Sequence, residues 1–444
     1  MTTLNEGQQD ALDRIVSSYH GMRRKHVLQG YAGSGKTYLM QAVVRELQKS
    51  KVRVVVTAPT HKAVQVLADK MNEFGLGDVD AMTIHSLLGL KPAAGEGEKS
   101  ILKRGGLSKT GSYNAVIIDE CSMIGKDLQA FIDNDLGNHW VLYVGDPAQL
   151  PPVDEVRASC FTAPADMCST LTGIVRQAEG NPILEAAKCL REQQLGPVDW
   201  SWCKTVANGP YGVYLAGGDA TEWMRDAFTS QEFARNNDAF RYVAWTNARV
   251  HEVNAMVRKW LYGDTPTPFV AGERVMCRKP VMTPNQQPAF NTNEEAEVVS
   301  IIQSVLPLKF DKAEGGAGKQ ALEGWTHDLP VWRVTLKHSE FGAVGCDLPI
   351  NPDDIKTLDR RLVSEAKVNK ARWFDRFQFL EKTADLRSVY ALTVHSSQGS
   401  TFDNVFVDVA DCSKRERSNL LEMQKMLYVA VTRPRYALML VGAG

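Results

Sequence analysis

This sequence predicts a tandem α/β fold: two units built on parallel sheets, each interrupted by an insertion. Three observations carry the prediction. Over the first 180 residues, short apolar runs at 26–29, 52–57, 116–118 and 141–144 alternate with stretches of helical periodicity, the pattern of parallel strands buried on both faces. The alternation returns from residue 181, with a strand at 242–245 and a strongly periodic helix at 247–261, and again as strands at 388–391, 405–409 and 436–441. Between those halves, residues 273–385 change texture, with short strands at 274–277, 296–302 and 331–336 and a charged helical stretch at 353–383. The expected organisation is a first core at 1–180, a second core at 181–272 and 386–444, and an inserted domain at 273–385.

The first core opens with a helix at 5–19 whose Leu12, Ile15, Val16 and Tyr19 share one face. Asn5 and Gln8 have capping-box spacing at its start. The strand at 26–29 leads through G-Y-A-G-S-G-K-T, residues 30–37, into a helix at 36–49. Residues 89–112 break the alternation; they are rich in Gly, Lys and Pro and predict a small β-hairpin inserted into the core. The E-G-G-A-G-K run at 314–319 is a flexible turn, because it lacks the G-x-x-x-x-G-K-[ST] spacing of a phosphate loop.

Composition narrows the function classes. Lys and Arg total 51 against 52 Asp and Glu, a net charge of −1, so a nucleic-acid groove must be local and must use neutral donors and backbone amides as well as cations. The eight cysteines (121, 160, 168, 189, 203, 277, 346, 412) form no C-x-x-C pair, which signals neither a zinc site nor a redox motif and fits a reduced compartment. The polar N-terminus and the absence of a long apolar run predict a cytoplasmic protein with no membrane span.

Three motifs carry the chemistry. In the loop at 30–37, glycines including Gly33 and Gly35 permit a tight turn that aims amides, Ser34 among them, at phosphates. Lys36 reaches the β- and γ-phosphates and the Thr37 hydroxyl can ligate Mg²⁺. V-I-I-D-E at 116–120 is an apolar strand ending in paired acids, in which Asp119 holds Mg²⁺ and Glu120 activates the attacking water. G-D-P-A-Q-L-P-P-V at 145–153 sets Asp146 and Gln149 on a turn after a strand, where the Gln149 amide can sense the γ-phosphate.

Those strings, with L-N-E-G-Q at 4–8, A-P-T-H-K-A at 58–63, T-I-H-S-L-L at 83–88, L-T-V-H-S-S-Q-G-S-T at 392–401 and L-Y-V-A-V-T-R-P-R at 427–435, span nearly the whole chain in one order. In that order the chain resembles the superfamily 1 helicases, with its nearest likeness to the Dda-type phage helicases that move 5′ to 3′. The resemblance implies two RecA-like P-loop cores with ATP in the cleft between them, a small pin inserted in the first core and an SH3-like domain inserted in the second. It implies that Gln8 reads the adenine edge, a role its amide can share with the capping box. Arg176 and Arg433 would reach the γ-phosphate, and Gly399, with Gln398 in support, would let backbone approach the nucleotide. Nucleic-acid contacts would come from Thr60, His61, Thr83, His85, Asn247, Thr393 and His395. The implied ligands are ATP, Mg²⁺, single-stranded DNA and single/double-strand junctions, with a single-strand-binding protein as partner and the chain itself a monomer.

One departure bears on function. Dda-type helicases carry an aromatic on the pin, whereas Ile101-Leu102-Lys103-Arg104 has none, leaving Leu102 as an apolar wedge and Lys103 and Arg104 for phosphate. Trp373, Phe374, Phe377 and Phe379 are expected in the core of the inserted domain. The missing aromatic motivates a rival reading, a translocase that strips proteins from single strands without efficient unwinding. An inactive binding module conflicts with the complete catalytic set, and a P-loop GTPase conflicts with the absence of N-K-x-D.

Overall fold

The computed structural model describes residues 4–21, 23–94, 100–152, 155–173, 180–193, 198, 200, 204–216, 220–285, 287–315, 320–339 and 341–442. Met1–Leu261 and Tyr390–Gly444 form one unit, and Tyr262–Val389 form another.

In the first unit the chain begins with α1 (Glu6–His20), β1 (Lys25–Gly30), α2 (Lys36–Lys49), β2 (Val54–Ala58), α3 (His61–Glu73), β3 (Asp80–Thr83) and α4 (Ile84–Leu88). It continues with β4 (Leu90–Ala94), β5 (Ser100–Arg104), β6 (Ala115–Ile118), α5 (Lys126–Asp135), β7 (Trp140–Gly145) and β8 (Cys168–Leu171). Six strands form one parallel sheet in the order β3-β2-β6-β7-β1-β8. Alternate residues feed two cores. Leu28, Val56, Ile117 and Leu142 pack with Ile15, Val43 and Leu67 on one face, while Val27, Val55, Val116 and Tyr143 pack with Leu87, Leu128 and Ile132 on the other. Burial on both faces is why these strands are continuous apolar runs. The edge strands β3 (D-A-M-T) and β8 (C-S-T-L) escape the sequence reading, since neither carries such a run.

β4 and β5 pair antiparallel as the hairpin expected at 89–112. Leu102, the candidate wedge, packs against the first core instead of standing free. Arg104 is paired with Asp135.

The second half of this unit starts with α6 (Pro182–Glu192), β9 (Val206–Asn208), β10 (Tyr211–Leu215), α7 (Thr221–Phe228), α8 (Gln231–Arg235), β11 (Phe240–Ala244) and α9 (Asn247–Tyr262). The chain then enters the other unit: β12 (Arg274–Cys277), β13 (Val281–Met282), β14 (Pro288–Phe290), β15 (Glu294–Phe310), β16 (Trp325–His338), β17 (Gly342–Pro349), α10 (Pro352–Val368), α11 (Arg372–Lys382) and β18 (Leu386–Ser388). It returns with β19 (Ala391–Thr393), α12 (Val394–Ser397), β20 (Phe402–Asp408), α13 (Val409–Ser413), α14 (Leu420–Val431) and β21 (Pro434–Val441). The second sheet runs β19-β11-β20-β21-β10-β9, parallel except for β9.

The inserted unit is a five-stranded antiparallel sheet, β17-β16-β15-β12-β18. Residues 262–272 go with it, and Phe269 lies in its core. Its helical stretch is two helices, not one. Buried Asn369 ends the first, giving its side-chain N–H to the carbonyls of Glu314 and Gln320, both at 3.0 Å, and accepting from Ala371 N. The aromatic core expected on the second helix is half right. Phe379 is buried in the core, but Phe374 is 67% exposed, and the fully buried position two residues before it belongs to Arg372. That guanidinium is held by Glu365 and Asp375, both at 2.8 Å, and by the carbonyls of Asp311 and Glu323.

In the second core, Asp411 fixes the turn from β11 into α9. Its carboxylate is 2% exposed and accepts the N–H of Trp245 at 3.0 Å, the N–H of Thr246 at 2.7 Å and the Thr246 hydroxyl, and it pairs with Lys414 at 2.8 Å. Burial by itself raises its pKa, but the bonds from Lys414 and Thr246 outweigh it, and the carboxyl lies below its ordinary range. Asp411→Ala strips buried amides of their acceptor and should cost about 3 kcal/mol at pH 7. Because the folded pKa is depressed, the charge contributes fully above the unfolded value of about 3.9 and is lost as pH falls through the folded value. Chemical unfolding of both proteins at pH 7 and pH 3 checks this, the gap being expected to narrow in acid.

Candidate active site and nucleic-acid interface

β1 ends at Gly30, and the loop turns into α2 through Gly33 and Gly35, at φ 75° and 82°, a left-handed region costly for other residues. A Cβ at Gly33 would also come within 2.8 Å of Leu184 on α6. Lys36 Nζ donates to the carbonyls of Gly30 at 2.6 Å and Tyr31 at 3.1 Å, so the ammonium is folded over the loop it serves. Ser34 Oγ is buried with no protein partner, a polar atom left to be satisfied by something outside the chain. Gln8 does form the capping box with Asn5, at 2.8 and 3.1 Å. It is also buried, and its amide N–H lies 3.5 Å from the carbonyl of Ser34, so the same side chain joins α1 to the phosphate loop. Thr37 is the second residue of α2 and half-buried.

Asp119 and Glu120 follow β6. Glu120 is one of three residues other than glycine with positive φ among those described, at 52°. Its N–H turns back to Asp119 Oδ1 at 2.9 Å. Burial and then the Glu120 charge push the Asp119 carboxyl up to about 7, against the Glu120 N–H bond and Lys36. Two carboxylates forced together this way suit a cation. Among the described residues no three His, Cys, Asp or Glu side chains converge on a metal position. The residues expected to hold a cation, Thr37 and Asp119, lie at the start of α2 and after β6.

The second core reaches into this site at several points. Tyr428 of α14 donates to Asp146 Oδ2 at 2.6 Å and accepts the N–H of Ala32 in the phosphate loop at 3.2 Å. Gln398 Nε2 lies 3.4 Å from Gln149 Oε1, 3.3 Å from the carbonyl of Leu150 and 3.4 Å from Ser122 Oγ. Arg191 of α6 lies 3.9 Å over the ring of Tyr31. Arg433 is buried and bonded to the carbonyls of Val429 at 2.9 Å and Ser400 at 3.0 Å. Burial lowers its pKa, and the Glu120 charge is the strongest opposing influence. Arg176 lies outside the described residues. Gly399, at φ 74°, presents its bare side to Thr60 and Ala63 of the first core, 3.6 and 3.4 Å from where a Cβ would stand. Those are ordinary contact distances, so the glycine is required by its left-handed φ and not by crowding.

The residues expected to touch nucleic acid fall on matching places in the two sheets. Thr60 follows β2 and Thr83 ends β3; Asn247 follows β11 and Thr393 ends β19. These are neighbouring strands at the same edge of each sheet. T-I-H-S and T-V-H-S fold alike. Thr83 Oγ1 accepts from Ser86 N at 3.1 Å and donates to Ser86 Oγ at 2.8 Å, and Thr393 does the same with Ser396 at 3.2 and 2.9 Å. Thr60 caps α3 through Ala63 N at 3.3 Å. The threonines are therefore caps that present the adjacent histidines. His85 is held below its ordinary pKa by burial and then by His61, against a bond with the Pro59 backbone. His395, 41% exposed, is held down by burial against Glu422, 3.9 Å away. Both imidazoles are neutral donors near pH 7. Asn247 is exposed at the start of α9.

The sequence reading missed Tyr428 as a bridge. The signal available was a tyrosine five residues before Arg433 within one motif string. Glu120→Gly should relieve the left-handed strain and the repulsion on Asp119, raising unfolding free energy by about 1 kcal/mol while ATP turnover is lost. Denaturant melts beside an ATPase assay check it; a less stable or still active variant contradicts the assignment.

Comparisons with known proteins bear on the whole chain. Residues 3–201 match the AAA domain family, and residues 388–441 match the UvrD-like helicase C-terminal domain. The chain is similar to the ATP-dependent DNA helicase dda of Enterobacteria phage T4, at 25% identity over 456 residues covering 98% of each protein. It is similar to the uncharacterized protein R530 of Acanthamoeba polyphaga mimivirus, at 24% identity over 465 residues, 91% of this chain and 93% of that one. A solved structure of two coordinating Pif1 helicases at forked double-stranded DNA superposes with a TM-score of 0.51 at 17% identity, covering 99% of this chain and 92% of the other, and shares its fold. The motif order, the two family matches and the full-length likeness to dda agree: along its whole length the chain is similar to superfamily 1 helicases of the Dda kind.

Proposed function

We propose that the protein is an ATP- and Mg²⁺-dependent motor that moves 5′ to 3′ along single-stranded DNA and separates duplex strands. One observation carries the reading. The phosphate loop and Gln149 of the first core are bonded to Tyr428 and Gln398 of the second, so whatever fills the loop is felt by both cores. The matching T-x-H-S caps then give each core its own hold on a strand.

In this mechanism Lys36 leaves the carbonyls of Gly30 and Tyr31 for the β- and γ-phosphates, and the loop amides with Ser34 Oγ cradle them. Gln8 reaches the adenine edge. A divalent cation held by Thr37 and Asp119 would neutralise phosphate charge. Glu120 orients and deprotonates the attacking water, Gln149 senses the γ-phosphate, and Arg433 with Arg176 stabilises the charge that develops. Hydrolysis removes the shared ligand and lets the cores part. Thr60, His61, Thr83 and His85 on one side, and Asn247, Thr393 and His395 on the other, grip the backbone alternately through neutral donors that ignore sequence.

The β4–β5 hairpin is the pin in this reading, and the inserted antiparallel unit is the SH3-like domain. The polarity follows from the likeness to helicases of the Dda kind. A second reading, a translocase that displaces bound proteins, is favoured by the hairpin, because its apolar candidate Leu102 is packed inward. The chain acts as a monomer at single/double-strand junctions.

Lys36→Ala and Glu120→Gln should each lower ATP turnover by about a thousandfold or more while leaving single-strand binding largely intact; steady-state hydrolysis and fluorescence anisotropy measure the two, and retained turnover in both removes the catalytic assignment. The decisive test is strand separation with ATP and Mg²⁺ on duplexes bearing a 5′ or a 3′ single-stranded tail. Opening of only the 5′-tailed duplex is expected. Opening of only the 3′-tailed one overturns the polarity, and failure of both with DNA-stimulated hydrolysis intact favours the translocase. Because the gripping donors are neutral, affinity for single strands should fall only shallowly with salt, a log–log slope of about −0.7 being expected for each phosphate that a cation neutralises; a slope worth many phosphates overturns the neutral grip.

A further inference from the structure

We propose that Tyr428 is a positioning residue that carries the state of the phosphate loop to Asp146 and, through its own helix, to Arg433; the inference rests on the ATPase reading above. The ring is 2% exposed. Its hydroxyl gives its proton to Asp146 Oδ2 at 2.6 Å and takes the Ala32 N–H at 3.2 Å. Asp146 is fully buried, and its other oxygen accepts Ala148 N at 2.9 Å. A buried carboxylate holds its donors tightly, so the Tyr428–Asp146 bond is the fixed end of the chain and the amide of Ala32 is the labile one.

That amide belongs to the loop that must wrap phosphates. When the loop amides turn to a triphosphate, Ala32 N–H has two competing acceptors, and Tyr428 Oη can lose it while keeping Asp146. Five residues on, Arg433 Nε is bonded to the carbonyl of Val429, the residue next to Tyr428. Movement at the end of α14 therefore moves the Arg433 guanidinium. Asp146 in turn holds the loop bearing Gln149, the residue that meets Gln398. One phenol thus touches the loop expected to bind phosphate and the turn expected to sense it, from the helix to which the arginine is bonded. Burial and the Asp146 charge push the phenol far above its ordinary range, which keeps it a donor at every working pH.

The test is Tyr428→Phe in the full chain, which removes one oxygen and keeps the ring. ATP hydrolysis is measured with and without a poly-dT oligonucleotide, alongside the melting temperature. The kcat with DNA should fall about tenfold, the loss of one bond to a charged acceptor, with KM for ATP within about twofold, so that the stimulation ratio collapses. Asp146→Asn should produce the same split, and the double variant should be no worse than either. Wild-type stimulation in Tyr428→Phe, or an equal fall with and without DNA, or additive losses in the double variant, each overturns the coupling role. A wild-type chain without ATP turnover instead overturns the function on which it rests.

Discussion

A carboxylate with no access to water must find its donors in protein, and Asp146 finds one on its own turn and the other on the opposite core. The two halves of the first unit are joined at this point by a bond that neither can replace alone. The rest of the cleft is arranged around it. Gln398 meets Gln149 three residues along the same turn, and Gly399 brings the second core against Thr60. Polar contacts of this kind are weak individually and exacting in geometry. They suit an interface that must open and close, where an apolar seam of the same extent would favour one state.

The two sheets show why one core carries the chemistry. Their strand orders correspond, β3-β2-β6-β7-β1-β8 to β19-β11-β20-β21-β10-β9, so Asp408 at the end of β20 stands where Asp119 stands after β6. Asp119 feels the like charge of Glu120, opposed by the Glu120 N–H bond and, more weakly, by the ammonium of Lys36. Asp408 is already neutralised, accepting from Tyr242 at 2.6 Å and from Arg249 at 2.8 Å on one oxygen and from Asp411 N at 2.8 Å on the other. A guanidinium fills the role that a cation would have. The same strand-end position is strained and electrostatically incomplete in one core and saturated in the other. Asp411, whose acceptors fix the β11–α9 turn, belongs to the saturated version.

Much of this was legible in the sequence because glycine and charge act locally. The loop at 30–37 needs Gly33 and Gly35 first for their φ angles, and V-I-I-D-E couples a doubly buried strand to its terminal acids without reference to anything distant. What escaped depends on contacts between remote residues. β3 and β8 are strands because a neighbour pairs with them, and their own composition says little. Arg372 is buried and Phe374 exposed because carbonyls of Asp311 and Glu323, far away in the chain, supply acceptors for a guanidinium. Leu102 looked free on a hairpin, but the core beneath it was not visible from the hairpin's own residues. Tyr428 was quoted within a motif and still missed as a bridge, since its partners lie about 280 and 400 residues away.

The rim of the cleft completes the physical argument. A motor must release the strand at every step, and a groove lined with fixed positive charge would resist release. This chain has no net positive charge, and the histidines at its strand-end caps are pushed toward the neutral form by burial. In the function proposed above, grip would come from hydroxyls, imidazole N–H groups and an amide, donors whose individual contributions are about 1 kcal/mol. Bonds of that size are within reach of the free energy that closing or opening the cleft can redistribute, whereas a row of ion pairs to phosphate would not be. The neutral rim and the polar cleft are thus two expressions of one requirement: each contact is strong enough to fix a position and weak enough to be given up.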